Sequence, residues 1–283
     1  MLETLIDQLL DRFPVRAGSF IVTLYGDVVA PRGGEIWMGN IIEACKTVHI
    51  GESRVRTAVS RLVSSGRIKG EKEGRKSYYR LTGVANDEFS RAARLIYRRP
   101  NVARLQGWHL VLLPHGAERD ALLHRLTDLR FGMALPHLAI LPDRGEPLPP
   151  LGAPHFRATT EDDLTEIARG AWGLDELAEQ VDRFVDGFAE LEDVRCTPQE
   201  ALGLRLLLVH MFRQIALADP MLPVPLLPKG WKGPEARNLF ARLYLQLSPG
   251  ADAAIAKTFV NRDGPLVADP TRIARRIADL SYS

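Results

Sequence analysis

The stretch that most constrains this chain is Gly51 to Tyr79, GESRVRTAVSRLVSSGRIKGEKEGRKSYY. Val55, Val59, Leu62 and Val63 recur at helical spacing and so share one face of a helix. The other face carries Ser53, Thr57, Ser60, Arg61 and Ser64, flanked by Arg54 and Arg56. Ser53 is expected to cap that helix, its hydroxyl accepting a bond from a free amide of the first turn. Gly66 is expected to end it, because glycine takes the left-handed conformation without steric cost. A short strand over Arg67–Lys69, a Gly- and charge-rich tip at Gly70–Gly74 and a second strand over Lys76–Leu81 should follow. A helix with an Arg/Ser/Thr outer face and a basic hairpin behind it predicts a DNA-binding winged helix.

Charge supports the same reading. The net charge is +2 over 283 residues, yet residues 1–99 hold 17 Lys and Arg against 11 Asp and Glu, and the remainder 20 against 24. A basic N-terminal third joined to a mildly acidic remainder suits one nucleic-acid-binding domain among others. At this length two or three domains are expected. No apolar run reaches the roughly 18 residues of a membrane span. The early acidic residues of MLETLIDQLLDRF argue against a secretory signal. Cys45 and Cys196 are the only cysteines, too few for a disulfide framework or a structural zinc site. A cytoplasmic protein is expected.

The N-terminal third also supplies the other parts of such a module. Leu2, Leu5, Ile6, Leu9, Leu10 and Phe13 predict an amphipathic helix ended by Pro14. Ala17–Val29 is expected to be the first helix of the module, with Phe20, Ile21, Leu24 and Tyr25 inward, until Pro31-Arg32-Gly33-Gly34 breaks it. A second helix is expected over Glu35–Cys45, burying Ile36, Trp37, Ile41 and Ile42. Beyond the hairpin, Asn86–Arg99 reads as a linking helix. Its inner stripe is Phe89, Ala92, Ala93 and Ile96, and its outer edge Arg91, Arg94, Arg98 and Arg99.

The runs SFIVTLYGDVVAPRGGEIWMGNII, VRTAVSRLVSSGRI and YYRLT resemble the PaaX family of bacterial repressors. So do HMFRQIALADPMLPVPLLPKGW and ARNLFARLYLQL, so the likeness touches both ends of the chain. Two positions depart from the family pattern. Lys232-Gly233 follows Trp231 where Pro-Gly is usual, and Arg67 follows Gly66 where Trp is common. The resemblance implies a repressor of phenylacetic acid catabolism that leaves DNA on binding phenylacetyl-CoA. It also implies a middle domain like the Cas2 nuclease fold of CRISPR systems. Those nucleases hold a metal ion through an acidic residue near the end of the first strand. Here that stretch is apolar up to Pro114-His115, so no catalytic role is expected.

The residues of the centre lead to a similar fold. Trp108–Leu113 predicts a strand, Ala117–Leu129 a helix with Leu122, Leu123 and Leu126 inward, and Met133–Leu141 a second strand interrupted by Pro136. Pro142–Pro154 reads as a Pro-rich loop. A β–α–β start of this length suggests a ferredoxin-like α+β domain. From Asp162 the pattern is helical, over Leu164–Trp172, Leu174–Leu191, Pro198–Asp219, Pro234–Leu247 and Ala251–Phe259. The expected organisation is therefore α+β and multidomain. A winged-helix domain with its linking helix spans 1–99, a ferredoxin-like domain 100–173 and a C-terminal helical domain 174–283.

No GxGxxG, Walker A, HExxH or GxSxG motif is present, and the histidines are scattered, so no catalytic or metal residue is assigned. Thr57 and Arg61 are the candidates for reading bases, since Arg can pair with guanine and Thr can meet a thymine methyl. Ser53, Arg54, Arg56, Ser60, Arg75 and Lys76 are the candidates for the DNA backbone. An aromatic acyl-CoA effector, phenylacetyl-CoA by the resemblance, needs an apolar slot and cations for its phosphates. Trp172, His210, Phe212, Arg213, Trp231 and Arg237 are its candidate residues, with core anchoring the plainer role for the aromatic ones. The expected site lies between the central and C-terminal domains. Expected partners are operator DNA and a second copy of the chain, since a two-fold dimer presents two recognition helices. A sequence-tolerant nucleic-acid binder and a metal-dependent nuclease are the rival readings.

Overall fold

A computed structural model describes residues 2–97, 104–192 and 194–281. Packing gathers the chain into two units. One comprises residues 1–99, 184–217 and 235–283, the other 100–183 and 218–234.

In the first unit, helix α1 (Leu2–Arg12) buries Ile6 and Leu9. Phe13, just beyond it, meets Phe188 with ring centroids 5.7 Å apart. Helix α2 (Ala17–Leu24) does not run straight to Val29 as expected. It widens into a π-helical turn over Tyr25–Val29 and closes with a 3-10 turn over Ala30–Arg32. Such wide turns are uncommon and concentrate at functional positions. Here the turn places Asp27 in the interior.

Gly33 and Gly34, at φ 89° and 76°, then reverse the chain, and the Gly34 amide donates to the Val29 carbonyl at 2.9 Å. The second helix, expected from Glu35, begins only at Met38 as α3 (Met38–Lys46). Glu35–Trp37 is strand β1, because the glycine turn lays it antiparallel to Tyr78–Arg80. Helix α4 (Glu52–Ser64) turns Val55, Ala58 and Val59 inward. Gly51 holds its cap position and Ser53 lies inside the first turn, so Ser53 is not the cap. Gly66 does end it, at φ 70°: its amide bonds the Val63 carbonyl and the Arg67 amide the Leu62 carbonyl.

The hairpin is longer than its Gly- and Lys-rich sequence suggests. Strand β2 (Ile68–Glu73) pairs with β3 (Lys76–Leu81) out to Glu73 opposite Lys76, leaving Gly74-Arg75 as a two-residue turn. Gly70 belongs to β2, not to the tip. A Cβ there would lie 2.8 Å from the Tyr79 ring, so glycine is what lets that ring cross the strand. The sheet order is β1-β3-β2. Helix α5 (Gly83–Tyr97) is the linking helix, and Arg91 and Arg94 are exposed on it. Arg98 and Arg99 lie outside the described residues.

The second unit holds β4 (Gly107–Leu112), α6 (Glu118–Asp128), β5 (Gly132–Leu135), β6 (Leu138–Asp143), β7 (His155–Ala158) and α7 (Thr165–Trp172). The sheet is antiparallel in the order β5-β6-β4-β7. Pro136 does not interrupt one strand but sits in the turn between two, where its missing N–H costs no ladder bond. β7, after the Pro-rich loop, is a strand the sequence pattern did not reveal. Leu122 and Leu126 of α6 pack on Val111, Phe131 and Ala139. Trp172 closes over Gly132, where a Cβ would lie 2.6 Å from the indole, and donates Nε1–H to the Arg130 carbonyl at 3.1 Å.

Helix α8 (Leu174–Phe188) leads back to the first unit, where α9 (Pro198–Ala218) is the central helix. α9 is long and apolar enough to cross a membrane, but 72% of its apolar window is buried inside the protein. Helix α10 (Gly233–Thr258) is continuous where two helices were expected. Pro249 lies on its exposed side, so the carbonyl deprived of a donor can be met by water. Phe212 of α9 stacks on Phe240 of α10, with centroids 4.1 Å apart. A small hairpin, β8 (Val260–Asn261) and β9 (Gly264–Pro265), and helix α11 (Pro270–Ser281) follow, none of them anticipated.

Candidate nucleic-acid interface

All eight residues read from the sequence as DNA contacts are exposed: Ser53, Arg54, Arg56, Thr57, Ser60 and Arg61 on α4, and Arg75 and Lys76 on the hairpin. Their local bonds distinguish them. The Thr57 hydroxyl donates to the Ser53 carbonyl at 3.0 Å, which leaves its methyl as the group free to meet a base. Arg56 is held by Glu52 one turn back, Nε to Oε1 at 2.8 Å, so its charge is partly spent within the helix. A terminal nitrogen of Arg54 donates to the His49 carbonyl at 3.4 Å. The Lys76 ammonium lies 5.2 Å from the centre of the Trp37 ring, a cation–π contact beside the turn of the hairpin.

Two arginines join this face that the sequence pattern left aside. Arg16, before α2, and Arg67, after Gly66, are exposed and line one groove with Ser53, Arg54, Thr57 and Arg61. Arg16 is the extended residue before α2 and Arg67 follows the Gly66 turn, so helical periodicity says nothing of either, and their neighbourhood exists only once α2 packs on α4. The groove presents Arg16, Arg54, Arg61 and Arg67 with no acidic residue among its lining. Such a surface attracts a phosphate backbone.

The hairpin's own acids are neutralised from far along the chain. Arg262, in the turn after β8, pairs with Glu71 and lies 3.7 Å from Glu73, both on β2. Its hydrogen bond and charge hold the Glu71 carboxyl below the usual carboxylate range. The Arg262 amide donates to the Glu35 carboxylate of β1 at 3.2 Å, and Arg80 of β3 donates to the same carboxylate at 2.9 Å. With its guanidinium also 5.9 Å from the centre of the Tyr78 ring of β3, one C-terminal residue touches all three strands of the sheet.

The family model described as PaaX-like protein matches residues 16–85, and that of the PaaX-like protein C-terminal domain matches residues 172–257. The protein named transcriptional repressor PaaX, from Escherichia coli (strain K12), is 31% identical over 303 aligned positions, covering 99% of this chain and 96% of the relative. The chain belongs to the PaaX family. Among solved structures, the uncharacterized protein Rv0674 from Mycobacterium tuberculosis is 22% identical with a TM-score of 0.48, covering 76% of this chain and 89% of its own.

The N-terminal PaaX match contains the hairpin and every lining residue of the α4 groove except Val15, whereas Arg262 lies beyond the C-terminal match. The six effector candidates all fall within 172–257, but they do not share one unit. Trp172 and Trp231 belong to the second unit, while His210, Phe212, Arg213 and Arg237 belong to the first. Phe212 is a core residue stacked on Phe240, with the Arg237 guanidinium 5.2 Å from its ring centre. His210 shares a 2.9 Å hydrogen bond with Thr23 of α2. Burial, helped by the charge of Arg213, pushes its pKa down to about 4, so it is neutral near pH 7.

The scattered histidines of the centre pair up in the second unit. His109 Nδ1 and His155 Nε2 are 2.9 Å apart across β4 and β7, and His109 also approaches Asp143 at 3.3 Å. Asp143 is bonded in turn by Arg157, at 2.6 Å. Among the described residues no group of three or more His, Cys, Asp or Glu is arranged to hold a metal ion.

Proposed function

We propose that the chain is a cytoplasmic transcriptional repressor that binds operator DNA as a homodimer, through the outer face of α4 and the β2–β3 hairpin. The observation that carries this reading is the division of α4: Val55, Ala58 and Val59 are buried, while Ser53, Arg54, Arg56, Thr57, Ser60 and Arg61 are exposed. Burial accounts for the first set and leaves the second to a ligand. The relative from Escherichia coli is named a repressor, and its likeness runs along 99% of the chain. In this reading α2, α3, α4 and the β1-β3-β2 sheet act as a winged helix within 1–99. The β5-β6-β4-β7 order suits a ferredoxin-like sheet in 100–173, with a Pro-rich loop in place of its second helix. Helices of 174–283 would carry regulation. The regulation that family membership supports is release by an aromatic acyl-CoA such as phenylacetyl-CoA, at an aromatic-acid catabolic operon. No catalysis is proposed: β4 is followed by Leu113, Pro114 and His115, without a carboxylate.

The test is fluorescence anisotropy on DNA from upstream of the chain's own operon, competed with unrelated DNA at about 150 mM salt, where binding driven only by phosphates is weak. A complex that survives competition is expected. Equal loss to any DNA would instead identify a sequence-tolerant binder. If no aromatic acyl-CoA then releases the complex, the effector half of the proposal fails.

A further inference from the structure

The first unit holds a cavity of about 170 Å³ walled by α2, α5 and α9. Val22, Phe89, Ala92, Ile96 and Val209 make most of its lining apolar. Two arginines reach it, Arg213 from α9 and Arg67 from the turn that ends α4. A terminal nitrogen of Arg213 donates to Ser19 Oγ at 2.8 Å. Its Nε–H is buried with no acceptor among the described residues. Native proteins rarely leave such a donor unmet. The charges of Arg67 and Arg213 oppose each other. Asp27 also lines the cavity, but Arg205, Arg276, Tyr97 and Tyr244 already occupy its carboxylate. Glu88 is exposed and forms no ion pair with either arginine among the described residues. An apolar chamber therefore ends in positive charge that the protein does not itself neutralise.

Arg67 is shared between two places. It lines this cavity and also the groove along α4, together with Arg54, Thr57 and Arg61.

We propose that the cavity binds a small organic carboxylate with an apolar body, and that the bound carboxylate draws Arg67 away from DNA. A cavity of about 170 Å³ is close in size to the roughly 150 Å³ apolar cavity that takes up benzene. One ring or a short alkyl chain fits; a whole acyl-CoA does not. A carboxylate can accept two parallel N–H bonds from one guanidinium, and Arg213 and Arg67 bring two guanidinium groups to the cavity lining. The binding half of the proposal stands alone, while the coupling half rests on the DNA-binding reading above.

Calorimetric titration of the full chain with benzoate, hexanoate, benzyl alcohol and acetate tests the site. Benzoate and hexanoate are expected to bind. Benzyl alcohol, a ring without the charge, and acetate, the charge without the body, should bind roughly tenfold more weakly or less. Arg213→Gln should weaken benzoate by about tenfold. Ala92→Phe, which narrows the chamber from α5, should weaken it as much in a chain that circular dichroism shows to be folded. Saturating benzoate should lower DNA affinity by about tenfold in the wild type and leave Arg67→Gln unmoved. No benzoate binding, benzoate binding indifferent to both cavity variants, or benzyl alcohol binding as well as benzoate, overturns the site. Benzoate bound without change in DNA affinity overturns the coupling. A chain that binds benzoate but no DNA fails the DNA reading, and the coupling with it, but not the site.

Discussion

Arg205 Nε donates to Asp27 Oδ2 at 3.0 Å across 178 positions of sequence, and both side chains are almost wholly removed from solvent. Asp27 sits in the π-helical turn that follows α2. Its other oxygen accepts bonds from Arg276 of α11, Tyr97 of α5 and Tyr244 of α10. Arg205 also reaches Asp252 at 2.8 Å, which Arg32 shares at the same distance. The first helix of the DNA-facing module is thus tied to four other helices of its unit through one carboxylate. Burial pushes the Asp27 carboxyl up, but the two guanidinium ions and two hydroxyls outweigh it and hold the pKa below the ordinary value.

Asp27→Asn keeps the shape of this node and removes its charge, leaving Arg276 buried without a carboxylate partner and Arg205 with Asp252 alone. Breaking one side of a buried pair costs about 3–5 kcal/mol. Urea unfolding at pH 7 should show a loss of that order. A loss below about 1 kcal/mol, the value of an exposed ion pair, would mean that water reaches the node in solution.

His210 makes the stability of the first unit depend on pH. Its folded pKa is about 4, against roughly 6.5 in an unfolded chain. Below pH 6.5 the unfolded state takes up a proton that the folded state refuses. Stability contributed by neutral His210 is therefore complete above about pH 6.5 and is lost as the pH falls towards 4, by up to about 3 kcal/mol. His210→Gln should flatten the stability profile across that window. An imidazole that titrates near 6.5 in the folded chain, read by NMR, would contradict the assignment.

Local pattern made α4 legible and left the Asp27 node invisible, for a physical reason. Val55, Val59, Thr57 and Arg61 are separated onto opposite faces by helical geometry alone, which depends only on neighbours in sequence. Asp27 reads as one acid in an apolar helix, and Arg205 as one base in another. Nothing within 20 residues of either announces the partner. For the same reason residues 174–283 read as a domain of their own, whereas 184–217 and 235–283 pack with 1–99. β1 was missed because Glu35-Ile36-Trp37 is too short to show alternation, and its strand conformation comes from pairing with β3. Arg16 went unassigned and Arg67 was read as the start of a strand, although both line the groove beside α4.

Arg262 is expected to support DNA binding without touching DNA. Arg262→Ala would leave Glu71, Glu73 and Glu35 without their shared cation, with two of those carboxylates exposed on the strand beside the proposed DNA backbone. Affinity for operator should fall by roughly tenfold through repulsion of phosphates. Adding Glu71→Gln and Glu73→Gln to Arg262→Ala should restore most of it. Failure of that rescue would show that Arg262 acts by holding β8 against the sheet and not by cancelling charge.

Arg61 and Arg75 separate base reading from backbone attraction. Both are exposed, Arg61 on the outer face of α4 and Arg75 in the two-residue turn of the hairpin. If Arg61 meets a guanine edge, Arg61→Ala should cost about 1–3 kcal/mol on the operator and far less on unrelated DNA, so that specificity falls with affinity. Arg75→Ala should weaken every sequence alike and lower the slope of log affinity against log salt by about one. Arg56→Ala should do less than either, since Glu52 already holds that guanidinium at 2.7 Å. Anisotropy titrations of the three variants on operator and on scrambled DNA, at several salt concentrations, read all of these effects together. Equal losses from Arg61→Ala on both DNAs would assign Arg61 to the phosphates and leave Thr57, with its methyl free, as the candidate base reader on α4.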